Sequence, residues 1–158
     1  MLLGTIGILL ISLDYYNKNI YSRHEPLTIS ALGVGKPEYI TLILLSVLGM
    51  LTLISAKDLI ALYLSIELLS LSLYILAGIK RTSQYSTEAS LRYFMLGALS
   101  SGLLLFGSTL VAITAGGHTE FTEIAIKVSE GPNGLITIGF LLIMVAILFK
   151  LAAAPFHM

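Results

Sequence analysis

Four apolar stretches, residues 38–56, 59–79, 89–115 and 135–154, dominate the chain and constrain it more than any other feature. Crossing the hydrocarbon of a bilayer as a helix takes about 20 predominantly apolar residues, and each stretch is of that order. Of the 158 residues, 56% are hydrophobic and only 11% are charged, with a mean hydropathy of +0.93. An ordinary soluble domain carries about 25% charge. One small core cannot hide this much apolar surface, so lipid must be the solvent for much of it. The expected fold is all-α: a polytopic transmembrane helical bundle forming one membrane domain over residues 1–158. Residues 1–13 are also apolar, but a helix of that length reaches only about 20 Å at ~1.5 Å per residue. They are read as a partial span. With no basic n-region and no small-residue cleavage site, a signal peptide is a poor reading.

The polar connections are short. Lys57-Asp58 makes a tight turn, with Asp58 a candidate N-cap for the helix that follows. In the segment 80–88 (KRTSQYSTE), Ser86 or Thr87 is placed to cap the next helix, with Glu88 in its first turn. Residues 116–134 hold a short amphipathic stretch. Phe121, Ile124, Ala125 and Val128 share one face, and Glu120, Glu123 and Lys127 share the other.

Nine basic and nine acidic residues give zero net charge, which excludes the basic stripe of a nucleic-acid binder. There is no cysteine, hence no disulfide framework and no thiolate metal or iron–sulfur site. His24, His118 and His157 are scattered with no ligand spacing, so no metal is expected. Gly33-Val34-Gly35 lacks the strand that a phosphate loop requires. Gly97-x3-Ser101 and Ala98-x3-Gly102 read as helix-packing surfaces. Tyr63, Tyr74 and Tyr93 read as interfacial or packing residues.

Charges inside the apolar stretches are the informative residues, because each costs at least ~2.5 kcal/mol at mid-bilayer. Glu67 lies about 12 and 18 Å from the ends of its stretch at ~1.5 Å per residue, beyond the reach of a short carboxylate to water. It serves either as a protonatable relay group or in a buried structural ion pair. Lys150 (ILFKLAAAPFH) can snorkel. Yet Pro155 ends the regular helix just beyond it, Ala152–Ala154 admit a close neighbour, and a buried lysine has a tunable proton affinity. Arg92 follows Glu88 by one turn, the spacing of a favourable surface pair. Arginine does not release its proton, so Arg92 either pairs structurally or tunes Glu67 electrostatically.

Three stretches together, KDLIALYLSIELLSLSLYILAG, STEASLRYFMLGALSSGLLLFG and FKLAAAPFHM, resemble the antiporter-like subunit 2 (subunit N) of NADH:ubiquinone oxidoreductase, respiratory complex I. That family is akin to the Mrp-type cation/proton antiporters. The resemblance runs from about Tyr39 to Met158 and covers only part of a complete family member. It implies a proton-translocating membrane-arm subunit of a translocase, with no redox site and no cofactor of its own. It implies that Glu67 matches the family's membrane glutamate, Arg92 a basic residue that is usually lysine, Glu88 the acidic residue one turn earlier, and Lys150 the lysine beside a helix break. It implies a multi-pass protein of the mitochondrial inner membrane or a bacterial plasma membrane, partnered by other membrane-arm subunits. The rival readings are a free-standing Mrp-type antiporter component, and a structural membrane subunit without pumping. Because the sequence stops inside the break that opens at Ala152, a second chain is expected to supply the rest of the family fold, unless the sequence is a truncation of a longer polypeptide.

If the stretches alternate across the membrane, Lys18, Arg23, Lys36, Lys80 and Arg81 share one side and Lys57 and Lys127 the other. The lysine and arginine excess marks the cytoplasmic or matrix face. Residues 80–88 should therefore be labelled from the matrix or cytoplasm, and residues 116–134 from the opposite compartment. The reverse accessibility would overturn this topology.

Overall fold

A computed structural model describes residues 4–11, 36–79, 83–129, 131 and 134–151. It is all-α, with no strand among the described residues. Residues 4–11 form α1. The remaining helices are α2 (Lys36–Ser55), α3 (Leu59–Ala77), α4 (Gln84–Thr114), α5 (Phe121–Ser129) and α6 (Gly134–Lys150). Three of them, α2, α3 and α4, are long and apolar enough to cross a membrane. The fourth expected span is shorter as a helix: α6 has 17 residues, about 26 Å at ~1.5 Å per residue. Residues 152–154, and with them the expected break at Pro155, lie outside the described residues.

Helix α3 starts at Leu59 as expected but without the expected side-chain cap, and α4 starts earlier than expected. Asp58 stands at the N-cap of α3 in an extended conformation, but its side chain caps nothing. Backbone groups take over. Leu59 N–H donates to the Thr119 carbonyl at 3.0 Å, and Phe121 N–H donates to the Lys57 carbonyl at 3.2 Å. The resulting antiparallel bridge between Asp58 and Glu120 ties the α2–α3 turn to the α4–α5 loop, so both lie at the same end of the bundle. Helix α4 begins five residues before the expected position 89, with Ser83 as its N-cap. Ser86 therefore lies inside the first turn. Its hydroxyl donates across to the Ala77 carbonyl at 2.7 Å, occupying a free carbonyl at the end of α3. On α5 only Ile124 of the expected apolar face is buried; Phe121, Ala125 and Val128 are exposed.

Helix α2 packs on α3, α3 on α4, and α4 most extensively on α6. The pattern of burial is the inverse of a soluble domain. Among the described residues many large aliphatic side chains face outward, whereas seven serines are buried. Each of these hydroxyls donates to a carbonyl three or four residues back on its own helix, as Ser72 does to Leu68 and Ser100 to Gly97. A serine satisfied in this way needs no polar partner across the interface and is small enough to let two helices meet.

Along α4 the buried line runs Gly97, Ser100, Ser101, Leu104, Gly107, Ser108, Val111, the spacing of one helical face. Gly107 crosses Gly139 of α6 so closely that a Cβ on Gly107 would stand 2.8 Å from the Gly139 carbonyl oxygen. Gly97 faces the Tyr74 hydroxyl, where a Cβ would overlap it. Gly97 and Ser101 are thus a packing surface, as their spacing suggests. Ala98 and Gly102 pack against no other helix among the described residues: both are exposed, and nothing lies within 4 Å of a Cβ built on Gly102.

This contrast predicts opposite outcomes for two similar substitutions. Gly107→Ala forces backbone apart at the α4–α6 crossing and should cost about 1–3 kcal/mol, the usual range for overpacking. Gly102→Ala should leave stability unchanged or slightly raised. Thermal melting of the detergent-extracted protein distinguishes the two.

Candidate functional site

Glu67 sits inside α3, roughly 12 Å from its start and 15 Å from its end at ~1.5 Å per residue. Its Oε2 is buried and accepts no hydrogen bond. Among the described residues its cationic partner is Lys150 at the last position of α6, whose Nζ lies 4.0 Å from that oxygen. The two side chains are 24% and 18% exposed, so neither ion is fully hydrated. Lys150 does not reach Glu67 with a hydrogen bond. It donates instead to Ser70 Oγ at 2.7 Å, while Ser70 donates its own proton to the Ile66 carbonyl at 2.6 Å.

Two magnitudes describe the pair. At ~4 Å and an effective dielectric of about 20, opposite unit charges attract by about 4 kcal/mol. Holding two charges at membrane depth costs at least ~2.5 kcal/mol each. The attraction is of the same order as the cost of the charges, so the pair brings little net stabilisation.

Helical spacing brings more residues into line. Glu67, Ser70 and Tyr74 stand at i, i+3 and i+7 on α3 and share one stripe. The Tyr74 ring is buried and meets Tyr93 and Phe94 of α4 edge-on, with centroids 4.7 and 5.8 Å apart. Of the residues singled out by sequence, Glu67 and Lys150 come together. Glu88 and Arg92 pair with each other instead, at 2.5 Å, one turn apart on α4. Their side chains are 58% and 69% exposed, and no ion pair or hydrogen bond among the described residues joins them to Glu67. Ser70 escaped the sequence reading. Its position three residues after Glu67 was the available signal, but serine is common in this helix, and one helix cannot reveal which serine faces a lysine of another. Among the described residues no group of three His, Cys, Asp or Glu side chains is placed to hold a metal ion.

A single family signature, described as NADH:quinone oxidoreductase/Mrp antiporter, TM, matches residues 56–158, a stretch that includes Glu67, Glu88, Arg92 and Lys150. The chain belongs to this family. It is 50% identical over 130 residues to NADH-quinone oxidoreductase subunit N of Maricaulis maris, covering 82% of this chain and 27% of that protein. It is 42% identical over 165 residues to NADH-ubiquinone oxidoreductase chain 2 of Marchantia polymorpha, covering 100% of this chain and 31% of that protein. The fold is similar to a chain of respiratory complex I from Thermus thermophilus, solved with bound aureothin. There the TM-score is 0.66 at 34% identity, over 78% of this chain and 27% of that one. The chain thus spans less than a third of the length of these relatives.

The exposed Glu88–Arg92 pair should contribute only about 0.3–0.5 kcal/mol to stability, the usual worth of an i,i+4 ion pair. Arg92→Lys should be neutral in melting. Arg92→Ala should lower stability by no more than that amount, which thermal melting of the purified protein measures.

Proposed function

We propose that this chain forms part of the membrane arm of a proton-translocating NADH:quinone oxidoreductase, and that Glu67 and Lys150 relay protons within it. The observation that carries the reading is the buried, unbonded carboxylate oxygen of Glu67 at 4.0 Å from the Lys150 ammonium. An ionised Glu67 attracts the ammonium. A protonated Glu67 does not, and Lys150 is then free to turn away and give up a proton to a further acceptor. The titrating pair couples the position of the amine to the charge of the carboxyl. Glu88 and Arg92 add fixed charge near one end of α4, where Arg92 acts electrostatically because it keeps its proton.

In this reading the chain holds no cofactor and performs no electron transfer. Quinone reduction elsewhere in the complex drives the relay. Other membrane-arm subunits are its partners, and the acceptor beyond Lys150 lies outside the described residues or on a second chain that continues the family fold. The protein works as a multi-pass protein of the mitochondrial inner membrane or of a bacterial plasma membrane. An Mrp-type antiporter role would rest on the shared family signature alone, whereas the relatives compared above are named as oxidoreductase subunits.

Glu67→Gln tests the relay. It keeps shape and hydrogen-bonding capacity but cannot titrate. The variant should assemble and should lose most proton-coupled turnover. Wild-type proton pumping in an assembled Gln variant would reduce the pair to a structural contact.

A further inference from the structure

We propose that Ser70 is a positioning residue for Lys150, a resting place for the ammonium that competes with Glu67 and holds the pair open. This deepens the relay reading above and rests on it. The argument starts from the donors and acceptors available. An ammonium has three donors and no acceptor. One Lys150 donor is spent on Ser70 Oγ at 2.7 Å, a normal bond to a charged group. The carboxylate, a stronger acceptor than a hydroxyl, stands 4.0 Å away and is not bonded. Electrostatics alone would draw the amine onto Glu67, so the hydroxyl is the contact that offsets that pull.

Ser70 is suited to this part by its own backbone. Its proton is committed to the Ile66 carbonyl at 2.6 Å, which turns the oxygen lone pairs toward the incoming ammonium. The hydroxyl therefore accepts from Lys150 and does not itself carry the relayed proton. Its position one turn from Glu67 on the same stripe means that a small swing of the lysine side chain exchanges one partner for the other. The titratable groups around the amine are few. Glu67 of α3 acts on it directly. Tyr74 of α3 lies beside Ser70 and Glu67, and Tyr93 of α4 faces Tyr74. Lys150 is the titratable residue of α6.

Ser70→Ala removes the resting place and should let Lys150 close on Glu67. The loss of one hydrogen bond to a charged group corresponds to about a tenfold shift in the open-to-closed ratio. In membranes bearing the assembled complex, proton-coupled turnover should fall by about that factor, with its pH profile displaced. Ser70→Thr keeps the hydroxyl and should restore the wild-type profile. A second readout does not depend on turnover: the carboxyl C=O band of Glu67 in infrared difference spectra, assigned by its disappearance in Glu67→Gln, should titrate differently in Ser70→Ala than in the wild type. An unchanged pH profile together with an unchanged Glu67 band in Ser70→Ala overturns the proposal, as does a Thr variant whose Glu67 band behaves like that of Ala. The two readings fail separately. If Glu67→Gln abolishes pumping while Ser70→Ala moves neither readout, only the positioning role falls. If Glu67→Gln pumps normally the relay falls, and the infrared titration alone decides whether Ser70 holds Lys150 away from Glu67.

Discussion

A carboxylate in the middle of a membrane helix must find a cation, a donor or water, and much of this structure can be understood as meeting that demand for Glu67. The cation comes from α6, a helix whose main packing partner is α4 rather than α3. Glu67 and Lys150 meet because α4 is thin where it must be. Gly97 admits the Tyr74 side chain of α3 at one level, and Gly107 admits the backbone of α6 at Gly139 at another. Larger residues at these crossings would push α3 and α6 outward and carry the two charges apart. The small residues of α4 thus act at the site without touching it.

The same economy explains the serines. A helix interface in lipid gains nothing from apolar burial as such, since the lipid is equally apolar, and depends on close packing and satisfied polar groups. Buried hydroxyls that return their protons to their own helices meet both conditions. Ser70 differs from the others in what its oxygen receives. It follows the common back-bonding pattern, and that pattern leaves an acceptor beside the lysine. The contact with Lys150 is a small extension of the packing rule.

Much of the fold was legible because the signals were long. Runs of about 20 apolar residues identify spanning helices without reference to tertiary contacts. Short signals were less reliable. Asp58 occupies the cap position but leaves the capping to Thr119, a loop residue remote in sequence. Helix α4 starts at Gln84 because the polar residues 84–88 are compatible with helix, and polarity alone does not mark a loop. At the site, the i,i+4 spacing of Glu88 and Arg92 announced a local pair, and the structure contains it. Glu67 and Lys150 could each be picked out by the cost of their charge. Their meeting could not, since it depends on how three helices cross. Ser70 could not be distinguished from Ser65 or Ser72 for the same reason: all three are buried and back-bonded, and only one lies next to Lys150.

Arg92 and Lys150 differ in chemistry as well as place, and the difference bears on where a proton can travel. Arg92 is exposed, engaged by Glu88 and permanently charged, so its contribution is a fixed potential. Lys150 is largely enclosed, its amine can exist in two protonation states, and it sits between an acceptor that is always neutral and one whose charge can change. Exchanging the two residues would put a permanent cation against Glu67 and a titrating amine on the exposed pair. An arginine beside Glu67 could not give up a proton, and a lysine beside Glu88 would stand on the exposed face of α4, away from Glu67. In the proposed relay the titrating cation is the enclosed one, and Lys150 is 18% exposed where Arg92 is 69% exposed.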